Sequence, residues 1–224
     1  MQGILSVVAT PIGNLEDITF RAVRILQEAD YILCEDTRVT KTLLARYAIA
    51  TPMKRYDTHA SKHTHDEIVA DLEAGKHIAL VSDAGTPGVS DPGVLLVVYA
   101  REAGMRVETI PGPSSITAAF SIAGIVGNQF AFLGFVPQKK GRQTFFRTLD
   151  TYDMPVVFLE STHRIMKTLE ALMELADSRT VSVARELTKM HEEFVSGTPM
   201  EVLTYFREHE DHQRGEFVII LSPK

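Results

Sequence analysis

The segment Val81-Ser82-Asp83-Ala84-Gly85-Thr86-Pro87-Gly88-Val89-Ser90-Asp91-Pro92-Gly93 gathers carboxylates, hydroxyls, glycines and prolines directly after the apolar run 78–81. Glycines let backbone approach a ligand, prolines fix the loop's course, and Ser82, Asp83 and Thr86 offer hydroxyls and an acceptor. The plainer alternative is a tight strand-to-helix connection capped by an aspartate. Three other clusters have the same character: Thr10-Pro11-Ile12-Gly13-Asn14, Glu35-Asp36-Thr37-Arg38 and Pro111-Gly112-Pro113-Ser114-Ser115. In the second of these, either a carboxylate takes a proton from a reacting hydroxyl while Arg38 holds it, or the tetrad is a helix cap with local ion pairs. Glu160-Ser161-Thr162-His163-Arg164 places His163 and Arg164 in the first turn of an expected helix, where cations oppose the macrodipole, and this fits either anion binding or a solvated helix start. The stretch 185–193 carries six ionisable side chains in nine residues, which fits a solvated loop or an acid/base or RNA-facing lip.

The elements that must position these clusters follow from punctuation and period. Short β-rich runs alternate with helical patterns from the start: a strand over 4–9, a helix near 19–28, a strand over 31–34. A helix over 64–74 stops at Gly75 and a strand over 77–81 follows at once; a helix around 93–103 stops at Gly104 and a strand over 106–110 follows. This rhythm predicts a mostly parallel sheet, which puts every strand's C-terminal end on one side and the four polar exits around one composite pocket. Pro111-Gly112-Pro113 is the sharpest break, with Ser114 or Ser115 capping a small-residue helix over 116–124. The expected domains are therefore 1–112 and 113–224. The second should also be α/β, with a mixed sheet from strands over 130–135, 155–159, 180–184 and 217–221 and helices near 142–149, 163–175 and 200–209.

The chain has 224 residues, 45% of them hydrophobic and 23% charged, which is enough for a large core. Cys34 is its only cysteine and lies in an apolar stretch, so a buried structural thiol is expected and a disulfide framework is excluded. His59, His63 and His65 look like a polar loop entering a helix rather than a zinc site, and no metal is expected near His191. The start lacks the pattern of a signal peptide and no apolar run approaches bilayer length, so a cytoplasmic protein without a membrane partner is expected. Net charge is −6, so a polyanion must meet a local patch. The candidate is Lys139-Lys140-Gly141-Arg142, near Arg147, with a merely solvated turn as the equal alternative. Neither the dinucleotide glycine fingerprint nor a phosphate loop with Lys-Ser/Thr is present.

Taken together, Thr10-Pro11-Ile12-Gly13-Asn14-Leu15-Glu16-Asp17-Ile18-Thr19, Glu35-Asp36-Thr37-Arg38, the 82–93 loop and Pro111-Gly112-Pro113-Ser114 resemble the ribosomal RNA small subunit methyltransferase I family of the tetrapyrrole methylase superfamily. The likeness continues in order through Gly134-Phe135-Val136-Pro137, Glu160-Ser161-Thr162-His163-Arg164, Ala184-Arg185-Glu186-Leu187-Thr188-Lys189 and Gly215-Glu216-Phe217, covering essentially the whole chain. The resemblance implies two α/β domains with a cofactor cleft between them, a homodimer, and S-adenosylmethionine as donor for 2′-O-methylation of a cytidine ribose in the decoding region of small-subunit ribosomal RNA. Carried over by motif, the cofactor residues are Ile12, Asp83, Thr86, Ser115, Ile116, Leu159 and Leu187. Methyl transfer to a ribose hydroxyl needs alignment and removal of a proton, so Glu35 or Glu186 is expected to assist the hydroxyl. Arg38 and Lys189 at the catalytic rim are expected, with His163, Arg164 and Arg185, to hold flanking RNA phosphates, and Lys139, Lys140 and Arg142 to face the RNA as a basic patch.

Two departures stand out: Thr162 replaces the family's usual proline, which suits a helix start equally well, and Gly88 replaces a commonly larger apolar residue. Many members continue into a small helical domain; that this sequence stops at Lys224 implies either weaker RNA affinity or merely a shorter form of the chain. The free substrate and the assembled small subunit remain equal alternatives as partner; DNA is not expected. Two other readings stay open: a methyltransferase acting on a tetrapyrrole-like small molecule, and a non-catalytic RNA- or ribosome-binding module.

Overall fold

The computed structural model describes residues 3–91, 93–175 and 179–224; Pro92 of the glycine- and proline-rich loop lies outside them. The chain divides into two compact units, Met1–Ser114 and Ser115–Lys224.

The first unit runs β1 (Ile4–Val8), α1 (Phe20–Glu28), β2 (Tyr31–Cys34), α2 (Thr37–Arg46), β3 (Met53–Arg55), α3 (Lys62–Glu73), β4 (His77–Val81), α4 (Gly93–Glu102) and β5 (Arg106–Ile110), with a 3-10 turn at Leu15–Asp17. Its sheet has the order β3-β2-β4-β1-β5, and every pairing is parallel. Central strands of such a sheet are covered on both faces, which is why β2 and β4 read as continuous apolar runs. Alternate residues serve opposite faces. Val8, Ile32, Cys34, Ala79 and Val81 pack with Leu26 of α1 and Leu43 of α2, while Leu5, Leu33, Ile78 and Leu80 pack with Leu72 of α3 and Leu96 of α4. Cys34 is accordingly a buried thiol within this core. Helix starts are set by side-chain caps: Thr19 accepts from Ala22 N–H, Asp36 from Arg38 N–H and Ser61 from Thr64 N–H.

The second unit contains α5 (Ser115–Ile122), β6 (Ala131–Phe135), α6 (Arg142–Leu149), β7 (Val156–Ser161), α7 (Ile165–Leu175), β8 (Val181–Arg185), β9 (Glu193–Gly197), α8 (Pro199–Glu208) and β10 (Glu216–Leu221). Its sheet is mixed, in the order β6-β7-β10-β8-β9, with β6 parallel to β7 and the remaining pairs antiparallel. Val156, Phe158, Val183, Phe217 and Ile219 meet Leu169, Leu172, Leu203 and Phe206 in one core. Helix α8 opens with a full capping box between Thr198 and Glu201 and a proline in its first turn. Two strands lie where the sequence pattern shows none: β3, too short for a period, and β9, whose polar outer residues hide its pairing with β8. No helix among the described residues is long and apolar enough to cross a membrane.

Candidate active site

In the first unit the C-terminal ends of β1, β2, β4 and β5 share one edge, and the loops leaving them are tied together. Thr10 and Gly85 exchange backbone hydrogen bonds of 2.9 and 3.1 Å, and the Thr10 hydroxyl donates to the Ser82 carbonyl at 3.1 Å. Asp36 N–H donates to Asp83 Oδ1 at 3.1 Å, Ala9 N–H to the Ile110 carbonyl at 3.1 Å, and the Thr86 hydroxyl to the Pro113 carbonyl at 3.2 Å. Asp91 shapes the rest of the long loop, accepting from Gly88 N–H at 2.7 Å and Gly93 N–H at 2.8 Å. Ile12 is buried beside this rim, with a methyl 3.4 Å from where a Cβ on Gly85 would stand. All four polar exits therefore form one assembly.

Glu35 sits in it within a shallow depression that also involves Tyr56, Ser82, Asp91 and Gly93. Burial pushes its carboxyl up, and the neighbouring charges of Asp83, Asp91 and Asp57 push it further. Arg38 does not hold it. The exposed guanidinium of Arg38 is committed to Asp36, its Nε 3.0 Å from Oδ1, and this pairing holds the Asp36 carboxyl down at about 2. Asp36 is thus both the α2 cap and the partner of Arg38, because a carboxylate at a helix start reaches the first turn's N–H groups and a side chain two residues on.

Tyr56 carries no sequence signal, yet its hydroxyl meets His65 Nε2 at 2.9 Å, and burial pushes its own pKa up to about 12. His65 in turn stacks on Tyr99, with ring centroids 4.4 Å apart. His63 faces Glu67 at 3.5 Å, and no group of three or more metal-ligating side chains occurs among the described residues.

In the second unit β6, β7 and β8 end on the edge where β10 begins, which gathers Phe135, Leu159 to Ser161, Arg185 to Leu187 and Glu216. Leu159 is half-buried and Leu187 buried; Ser115 and Ile116 form the first turn of α5. Glu186 has φ 48°, a left-handed conformation held by its side chain: Oε1 accepts from Glu216 N–H and from Lys189 Nζ, each at 2.9 Å. Burial pushes this carboxyl up, but the Lys189 and Glu216 hydrogen bonds and the charges of Lys189 and Arg185 outweigh it, and the net shift is downward. Lys189 also meets Glu216 at 3.1 Å.

Three of the residues expected to face phosphates are engaged by other groups of the protein. Arg142 and Arg164 turn inward onto Glu160, whose side chain is fully buried, at 3.3 and 2.8 Å. Arg185 is buried and donates to the carbonyls of Arg214, His191 and Asp211 while facing Glu193 at 3.6 Å. A buried carboxylate is costly without partners, so packing claims these cations before solvent can. Lys139, Lys140 and His163 are exposed.

The helix after β7 begins at Ile165, so His163 and Arg164 precede it rather than occupy its first turn. Thr162 likewise precedes it, and its hydroxyl donates to the Gly215 carbonyl at 2.8 Å and accepts from Gly215 N–H at 2.9 Å. Gly215 has φ 118°, and a Cβ there would lie 2.6 to 2.8 Å from Glu186 atoms. Gly215→Ala should therefore dislodge the Glu186 carboxylate and destabilise the second unit by ~2–3 kcal/mol. A lowered urea midpoint with faster exchange of the Glu216 amide would show this; an unchanged midpoint would remove Gly215 from the account.

Comparison with known proteins matches this architecture. The model of the family Tetrapyrrole (Corrin/Porphyrin) Methylases matches residues 5–202. A crystal structure of Thermus thermophilus uroporphyrin-III C-methyltransferase complexed with S-adenyl homocysteine superposes with a TM-score of 0.65 at 21% identity, covering 98% of this chain and 96% of that one. The fold is that of the tetrapyrrole methylases. The Ribosomal RNA small subunit methyltransferase I of Thermotoga maritima is 42% identical over 222 residues, 99% of each chain. Its counterpart from Neisseria meningitidis serogroup A is 46% identical over 222 residues, 99% of this chain and 76% of that protein. This chain belongs to the ribosomal RNA small subunit methyltransferase I family.

Proposed function

We propose that this protein transfers a methyl group from S-adenosylmethionine to the 2′-hydroxyl of a cytidine ribose in the decoding region of small-subunit ribosomal RNA. The observation that carries the mechanism is Glu35: a carboxyl on a knitted strand-end rim whose proton affinity is raised by burial and by three nearby carboxylates. A ribose hydroxyl is a weak acid, and a carboxylate of raised basicity is a better acceptor for its proton as the oxygen attacks. Glu186 is the weaker choice because Lys189 and the Glu216 N–H occupy its oxygen.

The donor set suits S-adenosylmethionine, which supplies an electrophilic methyl group on a sulfonium cation. The rim carries carboxylates, the sequence lacks a phosphate loop with Lys-Ser/Thr, and the walls include apolar Ile12. Ile12, Asp83 and Thr86 of the first unit and Ser115, Ile116, Leu159 and Leu187 of the second are the residues assigned to it, with the Thr86 hydroxyl serving to fix the loop through Pro113. Lys139, Lys140 and His163 offer the exposed cations for RNA phosphates. Arg38 and Lys189 act by positioning, through Asp36 and Glu186. Helix α4 leaves Val94, Leu95 and Val98 exposed, a surface that supports the expected homodimer.

Incubation with radiolabelled S-adenosylmethionine and small ribosomal subunits lacking native methylation, followed by nuclease digestion and mass spectrometry, tests the reading. Label on a decoding-region cytidine ribose is expected. Label on a base, or on a tetrapyrrole and not on subunits or free RNA, overturns it.

A further inference from the structure

We infer that Phe135 is a stacking platform for a nucleobase of the RNA substrate, an inference that rests on the function proposed above. An aromatic ring that packed into the core would need no special device. Phe135 instead stands 53% exposed at the end of β6, where the pairing register with β7 shifts between Phe132 and Phe135. Gly134 supplies the irregularity with φ 67°, and nothing lies within 4 Å of where its Cβ would be, so this glycine serves conformation rather than close packing. Irregularities of this kind redirect the side chain that follows.

The backbone just beyond the ring is held unusually firmly. Val136 N–H donates to the Leu159 carbonyl at 3.1 Å, Arg164 Nη1 donates to the Val136 carbonyl at 3.1 Å and Arg142 Nη1 to the Pro137 carbonyl at 3.4 Å. Both arginines are anchored by Glu160, so a buried ion triad braces the base of an exposed aromatic. A ring presented on a rigid backbone loses little entropy when a partner stacks on it.

The surroundings indicate which partner. Phe135 is the register partner of Leu159, so the ring stands beside one of the residues proposed above to hold the cofactor. Lys139 and Lys140 are exposed four and five residues on, in the loop that closes at Gly141. An aromatic face with adjacent cations is the combination that holds a single-stranded base with its phosphates.

The test exploits the absence of tryptophan from the sequence, which makes Phe135→Trp a unique fluorophore. Phe135→Ala is expected to raise the KM for RNA roughly ten- to hundredfold with S-adenosylmethionine affinity unchanged, and Phe135→Trp to restore it. Indole emission in Phe135→Trp should be quenched by the target strand, and an abasic nucleotide at one position should abolish the quenching. Equal RNA kinetics for Phe135→Ala and the wild type would overturn the inference while leaving the proposed function intact. Emission that follows protein concentration and ignores RNA would also overturn it, assigning the ring to contact between copies of the chain. Wild-type protein that labels no RNA would remove the function and this inference together.

Discussion

Glu35→Gln is expected to cut the single-turnover rate of methyl transfer by about a hundredfold or more, within the range typical of a general base, and to leave S-adenosylmethionine affinity essentially unchanged. The amide keeps the size of the carboxylate and its place beside Tyr56 and Asp91, so only proton acceptance is lost. The pH profile provides a second readout. Burial and the charges of Asp83, Asp91 and Asp57 raise the proton affinity of Glu35, so the wild-type rate should fall as pH drops through a pKa raised from that of an ordinary glutamate. The variant should lack that limb.

The stability sign separates this from damage to the fold. A carboxyl whose folded pKa is raised contributes stability below its unfolded pKa and loses it as pH rises through the folded pKa. At neutral pH the ionised form is therefore unfavourable, and Glu35→Gln should be neutral or slightly stabilising there. A variant as stable as the wild type with an unchanged single-turnover rate would take Glu35 out of the mechanism.

Glu160→Ala should be the most damaging single change in the second unit. Glu160 is fully buried at the end of β7 and binds Arg142, Arg164 and the Thr168 hydroxyl, the last at 2.7 Å. Removing it leaves two largely buried guanidinium groups without a carboxylate, held only by the Ser161 and Thr168 hydroxyls and the Val136 and Pro137 carbonyls, at a cost of about 3–5 kcal/mol. Apolar replacement of all three charged residues should be far better tolerated, because it removes the desolvation cost along with the pairing. Urea unfolding of the three forms, wild type, Glu160→Ala and the triple apolar variant, distinguishes these outcomes. Similar midpoints for the first two would show that the triad contributes nothing to stability.

The alternation of strands and helices was legible because it rests on local chemistry. Gly75 and Gly104 stop helices, Thr19 and Ser61 start them, and apolar runs such as Tyr31–Cys34 must be buried wherever they fall. The shared rim of four polar loops followed from the same information, since a parallel sheet leaves its strand ends no other arrangement. Motif order along the chain likewise carried the family. Strands β3 and β9 escaped because three residues show no period and because β9 gains its stability from pairing with β8 rather than from its own composition.

The partners of the charged side chains were in part a matter for the tertiary structure: Arg38 meets Asp36 locally at a helix start, whereas nothing local separates the inward-facing Arg142, paired with Glu160, from its exposed neighbours Lys139 and Lys140. Tyr56 entered the site by the same route, brought to Glu35 by the crossover that sets β3 beside β2. The sequence by itself determined which segments are buried and where the chain turns, because burial and backbone conformation depend on each residue and its near neighbours. Which cation neutralises which buried carboxylate depends on distances between segments far apart in the chain, and the cost of an unpaired buried charge forces that choice only once the units have closed around it.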